Sequence, residues 1–235
     1  MNGFTVKLSK PNGGNDAWIR DNELTSSFVS PVLLPTQFVL QYQTNNRPKD
    51  NKVFLIDQKG DTIFQKLPSN LQVNTIYKDT IRLKEGKYEL GLTDSQGDGL
   101  EFWYNKAQGD GHLRIFDLKG NLVHAFESDC GNGEKLSFTA SPNFKEDSTQ
   151  DKYAFSVFPR LVSSKTELTV VSNKTSQMTV LITIDGVVQE KYEYAAVKNG
   201  SFSFSMDKMT NGRIIFEVLM DGVSRFKVRL NKIKS

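Results

Sequence analysis

The sequence predicts an all-β fold: a jelly-roll-like antiparallel β-sandwich followed by a smaller Ig-like β-sandwich. Three observations carry this reading. Apolar residues recur with period two in almost every apolar segment, turn signals fall about every ten residues, and no stretch of about ten residues has the periodicity of an amphipathic helix. Period-two alternation sets one face of a strand on a core and the other in water, as in antiparallel sheets.

Along the chain, Phe38, Leu40 and Tyr42 share one strand face, and Tyr88, Leu90 and Leu92 share another. FLIDQKGDTIFQ (residues 54–65) and LRIFDLKGNLVHAF (residues 113–126) each read as strand, D-x-K-G turn, strand, a weak echo that fits two unrelated hairpins. SPNFKEDSTQDK (residues 141–152) is polar, aperiodic and contains Pro142, so it reads as a linker between an accessory sandwich over residues 1–140 and a second domain over residues 153–235. In that second domain Phe202, Phe204 and Met206 alternate with serines, and Ile214, Phe216, Val218 and Met220 alternate with polar residues. Asp185-Gly186 and Asp221-Gly222 sit between such runs and suit two-residue hairpin turns, because both residues accept positive φ.

Composition bounds the possibilities. With 37% hydrophobic residues, 16 Phe and 7 Tyr in 235 residues, the chain has enough apolar material for packed cores. No apolar run approaches the roughly 18 residues of a transmembrane helix, so no transmembrane segment is expected. Cys130 is the single cysteine, which excludes an internal disulfide. The start, Met1-Asn2-Gly3-Phe4, lacks the basic and apolar regions of a signal peptide, and the expectation is a piece excised from a longer precursor. Residues 153–235 carry 12 Lys and Arg against 7 Asp and Glu, while the rest carries 18 against 20. A net charge of +3 without a broad basic surface argues against nucleic acid as a partner.

The densest local signal is LTDSQGDGLEFWYN (residues 92–105). Asp94, Gln96 and Asp98 stand at i, i+2 and i+4 and Gly99 follows, a spacing that lets alternate oxygens converge as at the start of a calcium loop. Asp110 is a further oxygen donor for a structural Ca²⁺. The EF-hand pattern then fails, because Asn105 stands where the bidentate Glu belongs. An Asx-type turn without metal explains the same residues. Three adjacent aromatics, Phe102, Trp103 and Tyr104, cannot all face one core. Trp103 and Tyr104 are therefore candidates for stacking on a glycan, and a β-bulge or packing on a neighbouring domain is the other reading. Catalytic constellations are poor. His112 and His124 lie in strand-like runs, Cys130 lies in a turn-like stretch, and no nucleotide loop or nucleophile elbow occurs, so the chain is expected to be non-catalytic.

The last strand alternates strictly: Phe226, Val228 and Leu230 on one face, Arg225, Lys227 and Arg229 on the other, with Lys232 and Lys234 following. The basic stripe fits a charge-protected edge strand, or a patch read by an acidic partner. Val157-Phe158-Pro159, Leu168-Thr169-Val170, the hairpin ITIDGVVQEKY (residues 182–192), Met209-Thr210-Asn211-Gly212 before residues 213–218, Asp221-Gly222 and the basic terminus follow one another in a characteristic order. In that order residues 153–235 resemble the C-terminal sorting domain of the bacterial type IX secretion system. Arg160-Leu161 stands where that family usually has Asn-Pro, and Ile214-Ile215 where Tyr or Phe is common. Residues 15–28, 44–61 and 88–105 resemble a β-sandwich beside catalytic domains in secreted Bacteroidetes proteins, including peptide-N-glycosidase F-like ones. The resemblance implies secretion or outer-membrane surface display, recognition by the type IX machinery through Gly212, Asp221, Gly222, Arg225, Lys227, Arg229, Lys232 and Lys234, and attachment to anionic lipopolysaccharide or release. A carbohydrate-binding module, or an accessory part of a secreted glycosidase or peptidase, are the alternatives.

Overall fold

A computed structural model describes residues 2–10, 13–14, 22–28, 31–102, 104–146, 149–210 and 213–233. Strands make up 62% of the structure, and no α-helix occurs among the described residues, so none is long and apolar enough to cross a membrane. The chain opens with a two-stranded antiparallel ribbon, β1 (Asn2–Lys7) and β2 (Glu23–Phe28).

Nine strands then build a two-sheet sandwich: β3 (Val32–Pro35), β4 (Gln37–Gln43), β5 (Asn51–Asp57), β6 (Thr62–Lys66), β7 (Ile76–Arg82), β8 (Gly86–Asp94), β9 (His112–Phe116), β10 (Leu122–Ala125) and β11 (Gly133–Ser141). One sheet has the order β10-β9-β4-β7 and the other β3-β11-β8-β5-β6, so the chain crosses repeatedly between the layers. The alternation in the sequence explains which face goes inward. Phe38, Leu40 and Tyr42 of β4, Leu90 and Leu92 of β8, and Leu113 and Ile115 of β9 are all fully buried in one core. Phe138 closes it from β11, edge-on to Phe38 and stacked on Tyr88.

The echo noticed in the sequence is a repeated turn. In the β5–β6 hairpin Asp57 Oδ1 accepts the N–H groups of Lys59 and Asp61 at 2.8 and 3.0 Å. In the β9–β10 hairpin Asp117 Oδ1 accepts those of Lys119 and Asn121, both at 2.8 Å. Gly60 and Gly120 supply the left-handed residue of each, at φ 88° and 83°. The two hairpins lie in opposite sheets.

The second unit consists of β12 (Tyr153–Phe158), β13 (Leu161–Val162), β14 (Lys165–Ile184), β15 (Val187–Ser205), β16 (Ile214–Met220) and β17 (Val223–Lys232). Two of these strands serve both layers. Polar residues around Ser172 interrupt β14, where Ser172 Oγ bonds both the N–H and the C=O of Lys174, and the register with β15 shifts between Val171 and Met178. Before that bend β14 lies between β12 and the second half of β15; after it, between the first half of β15 and β16. β17 pairs with β16, and β13 adds in parallel at its end. The result is a three-stranded and a five-stranded layer in Ig-like order. A separate apolar cluster fills it, with Val180, Ile182, Phe204, Ile214, Phe216, Val218 and Met220 at its centre. Both predicted Asp-Gly turns form, with Asp185 and Asp221 at φ 47° and 51° and Gly186 and Gly222 at 86° and 78°.

Phe216 sits edge-on to Phe204 between the two layers and is fully buried. Phe216→Ala is expected to lower the unfolding free energy by about 3–5 kcal/mol, read from urea denaturation, because a ring-sized cavity cannot close between two rigid sheets.

Candidate functional site

The loop leaving β8 leads from the first core to the contact between the two sandwiches. Asp94 ends β8, and its Oδ1 accepts the N–H groups of Gln96, Gly97 and Asp98 at 2.8, 2.6 and 3.3 Å. This Asx-type arrangement turns the chain back. Asp98 Oδ2 is held by Arg47 Nη1 at 2.8 Å. Gly99 has φ +67°, and a Cβ there would lie 2.8 Å from Ser128 O and 2.9 Å from Cys130 N. Only glycine lets this loop press against the segment preceding β11. The buried amides of Asn45 and Gln108 both donate to Gly99 O, so the loop is anchored from inside the protein. Leu100 then enters the core, and Glu101 emerges, only 1% exposed, facing the second sandwich.

At that contact Arg160 Nε lies 2.9 Å from Glu101 Oε1. Ser156 Oγ lies 3.3 Å from Glu101 Oε2 and 3.0 Å from Asp110 Oδ2. A serine hydroxyl has a single hydrogen to donate, yet two carboxylates claim it. Burial raises the Glu101 carboxyl from 4.5 to about 7, opposed by Arg160 and reinforced by Asp110. Burial also raises Asp110, opposed by the Ser156 hydrogen bond and by the charges of Arg114 and Arg160. Burial thus favours the protonated form of both carboxyls, which eases the shortage of donors. Lys198 Nζ on Asn121 Oδ1, at 3.0 Å, is a further bond between the units.

Beside this junction opens a cleft of about 350 Å³ lined by Glu101, Arg114, Asp129, Tyr153, Phe155 and Arg225, among others. Tyr153, Phe155 and Phe226 form a stacked row on its wall, with centroid spacings of 5.7 and 5.4 Å. Arg225 lies over the Tyr153 ring at 5.5 Å and pairs with Asp151 at 3.1 Å. The cleft thus combines an aromatic wall with charges of both signs.

The structure separates residues that the sequence grouped together. Of the four proposed calcium donors, Asp94 and Asp98 share one turn, Gln96 is exposed, and Asp110 belongs to the junction with Ser156. Among the described residues no three His, Cys, Asp or Glu side chains gather as a metal site. Tyr104 is exposed, its ring 6.5 Å from that of Phe102. Trp103, Gly212 and Lys234 lie outside the described residues. The basic stripe has largely internal duties. Arg225 pairs with Asp151, Lys227 with Glu217 at 3.1 Å, and Lys232 Nζ donates to the carbonyls of Ser163 and Met206. Arg229 is exposed. Asp221 accepts the Gln177 N–H at 2.9 Å and pairs with Lys174, and that backbone bond holds its carboxyl low. Gly222 completes the turn. Burial pushes the Cys130 thiol up to about 11 and the His112 imidazolium down to about 3, so at neutral pH neither is charged.

Glu101, Ser156 and Arg160 were not singled out as site residues by spacing or motif. One signal was present: Arg160 is among the departures from the sorting-domain pattern, and it occupies the junction.

No protein-family model matches the chain, and no curated protein matches it. Among solved structures, dimeric latent PorU from Porphyromonas gingivalis is similar over 89% of this chain and 19% of its own, at 10% identity and a TM-score of 0.44. A β-glucuronidase from Faecalibacterium prausnitzii is similar over 86% of this chain and 36% of its own, at 12% identity and a TM-score of 0.30. The chain spans only a part of either protein, and neither superposition is close enough to carry function across.

Two outcomes are expected at the junction. Arg160→Met leaves Glu101 buried without its cation and should cost about 3–5 kcal/mol in denaturant unfolding, whereas Arg160→Met with Glu101→Leu should recover most of that loss. The raised carboxyl also fixes a sign. The folded chain holds the Glu101 proton more tightly than the unfolded chain, so this stabilisation is fully present below pH 4.5 and lost as pH rises to about 7. Thermal melts should show a decline across that window that is weaker in Glu101→Gln.

Proposed function

We propose that this chain is a non-catalytic part of a secreted or surface-attached protein, in which the Ig-like sandwich directs export across an outer membrane through type IX machinery. The preceding sandwich is then an accessory or adhesion domain. The observation that supports this reading is that the stretches resembling sorting-domain motifs fall in order along the second sandwich. Val157 and Phe158 end β12, with Pro159 next; Leu168-Thr169-Val170 lies within β14; Asp185-Gly186 and Asp221-Gly222 form turns; and Arg225, Lys227, Arg229 and Lys232 fall on β17. The motif order, which on sequence alone is degenerate, coincides with the order of strands and turns in one folded unit that has its own core.

The non-catalytic reading has support in the chemistry of the chain's nucleophiles. Cys130 is protonated near neutral pH, and His112 is buried with its Nε2 2.9 Å from Gln41 Nε2. Neither arrangement activates a nucleophile.

A periplasmic reporter carrying residues 1–235 at its C-terminus, expressed in a type IX-competent host, is expected outside the outer membrane. The same reporter ending at residue 152 is expected to stay in the periplasm, as is the full fusion in a host lacking the machinery. Periplasmic retention of the full fusion in the competent host overturns the proposal.

A further inference from the structure

Three side-chain oxygens around the end of β8 are buried and lack a hydrogen-bond partner: Asn51 Oδ1, Asp94 Oδ2 and Asp98 Oδ1. They belong to one place. Asn51 opens β5 and is the direct cross-strand partner of Asp94, so the two side chains project to the same side of the sheet. Asp98 donates its N–H to Asp94 Oδ1 at 3.3 Å. Arg47 closes the third side, since its carbonyl accepts the Asn51 amide N–H at 3.1 Å while its guanidinium holds Asp98 Oδ2 at 2.8 Å.

In each of these residues one polar atom is occupied and one oxygen is idle. Asp94 spends Oδ1 on backbone N–H groups, Asp98 spends Oδ2 on Arg47, and Asn51 spends its nitrogen on Arg47 O. Asn51 is 0% exposed and Asp94 is 4% exposed, so bulk water does not satisfy the idle atoms. The amide is an observation separate from the two carboxylates, because an acidic surface turn has no need of a buried amide oxygen beside it. Neighbouring buried acceptors without a hydrogen-bond partner require a cation, a hydrogen-donating water or a proton on Asp94, whose carboxyl burial raises.

We propose that Asn51 Oδ1, Asp94 Oδ2 and Asp98 Oδ1 bind a Ca²⁺ ion, with Gln96 and Asp110 taking no part. Calcium suits an irregular set of carboxylate, amide and carbonyl oxygens, whereas magnesium demands a near-ideal octahedron and keeps its waters. Two carboxylates against one guanidinium leave the site a net negative charge, which favours a divalent ion. Calcium there ties the start of β5 to the end of β8. It thereby steadies the loop that carries Glu101 to the junction.

The test uses the whole chain stripped with a chelator. Calcium chloride is titrated in by calorimetry, and melting temperatures are compared in calcium, magnesium and chelator. Calcium at a hundredfold excess over its dissociation constant should raise the melting temperature by on the order of 5–10 °C. Asp98→Asn should weaken binding by roughly tenfold or more and Asn51→Asp should tighten it, since added ligand charge raises calcium affinity. Gln96→Ala should leave binding unchanged. No binding heat together with equal melting temperatures in calcium and chelator overturns the site and leaves a bound water or a proton on Asp94 in its place. An equal response to magnesium overturns the choice of ion. If Asp98→Asn fails to fold, Asn51→Asp decides alone: an affinity for calcium no higher than that of the unchanged chain overturns the ligand set.

Discussion

A carboxylate taken out of water must meet a cation or a proton, and the relation between the two sandwiches turns on how Glu101 meets this demand. Its charge is answered by Arg160, and its burial favours the protonated form. The cation is not local: Arg160 comes from the second sandwich, just after β12. The arrangement works only if the loop after β8 delivers Glu101 to one position. That explains the density of internal anchors behind it: the Asp94 turn, the Gly99 contact with the 128–130 backbone, and the buried amides of Asn45 and Gln108.

The two units consequently meet through polar chemistry rather than through a shared apolar core. Each has its own hydrophobic cluster, and the polar contacts among the described residues join a serine, an arginine, three acids and a lysine–asparagine pair. Polar interfaces within a chain permit relative motion more readily than large apolar ones. Arg160 takes on added meaning in this light. As a departure from the sorting-domain pattern it weakened the resemblance; in the fold it is the residue by which the second sandwich grips the first.

The sequence made the local features readable and left the long-range ones dark. Period-two alternation located the buried faces of β4, β8, the end of β15 and β16 because burial on one face imposes it directly on the residues. The Asp-Gly hairpins and the paired D-x-K-G turns were visible because left-handed backbone restricts residue choice. The bend in β14 was not visible: a polar interruption in a strand looks the same whether the chain leaves the sheet or changes layer. Glu101 and Asn51 were hidden for another reason. A buried acid and a buried amide are ordinary letters until a partner arrives from elsewhere in the chain, more than fifty residues on for Glu101 and about forty for Asn51. The basic stripe on β17 showed the opposite limit. Its alternation was plain, but only the fold shows Arg225, Lys227 and Lys232 engaged with Asp151, Glu217 and backbone carbonyls.

The shared strands β14 and β15 bear on how the second sandwich comes apart. β14 is flanked on both sides over residues 167–171 and 178–184, and these two stretches belong to different layers. Peeling one layer away therefore strips hydrogen bonds from the strand that holds the other. The amide protons of β14 have no partial opening through which to reach solvent, and their exchange should follow the unfolding of the entire unit, while those of the β1–β2 ribbon exchange on their own schedule. A domain knotted together in this way passes from folded to unfolded as one object.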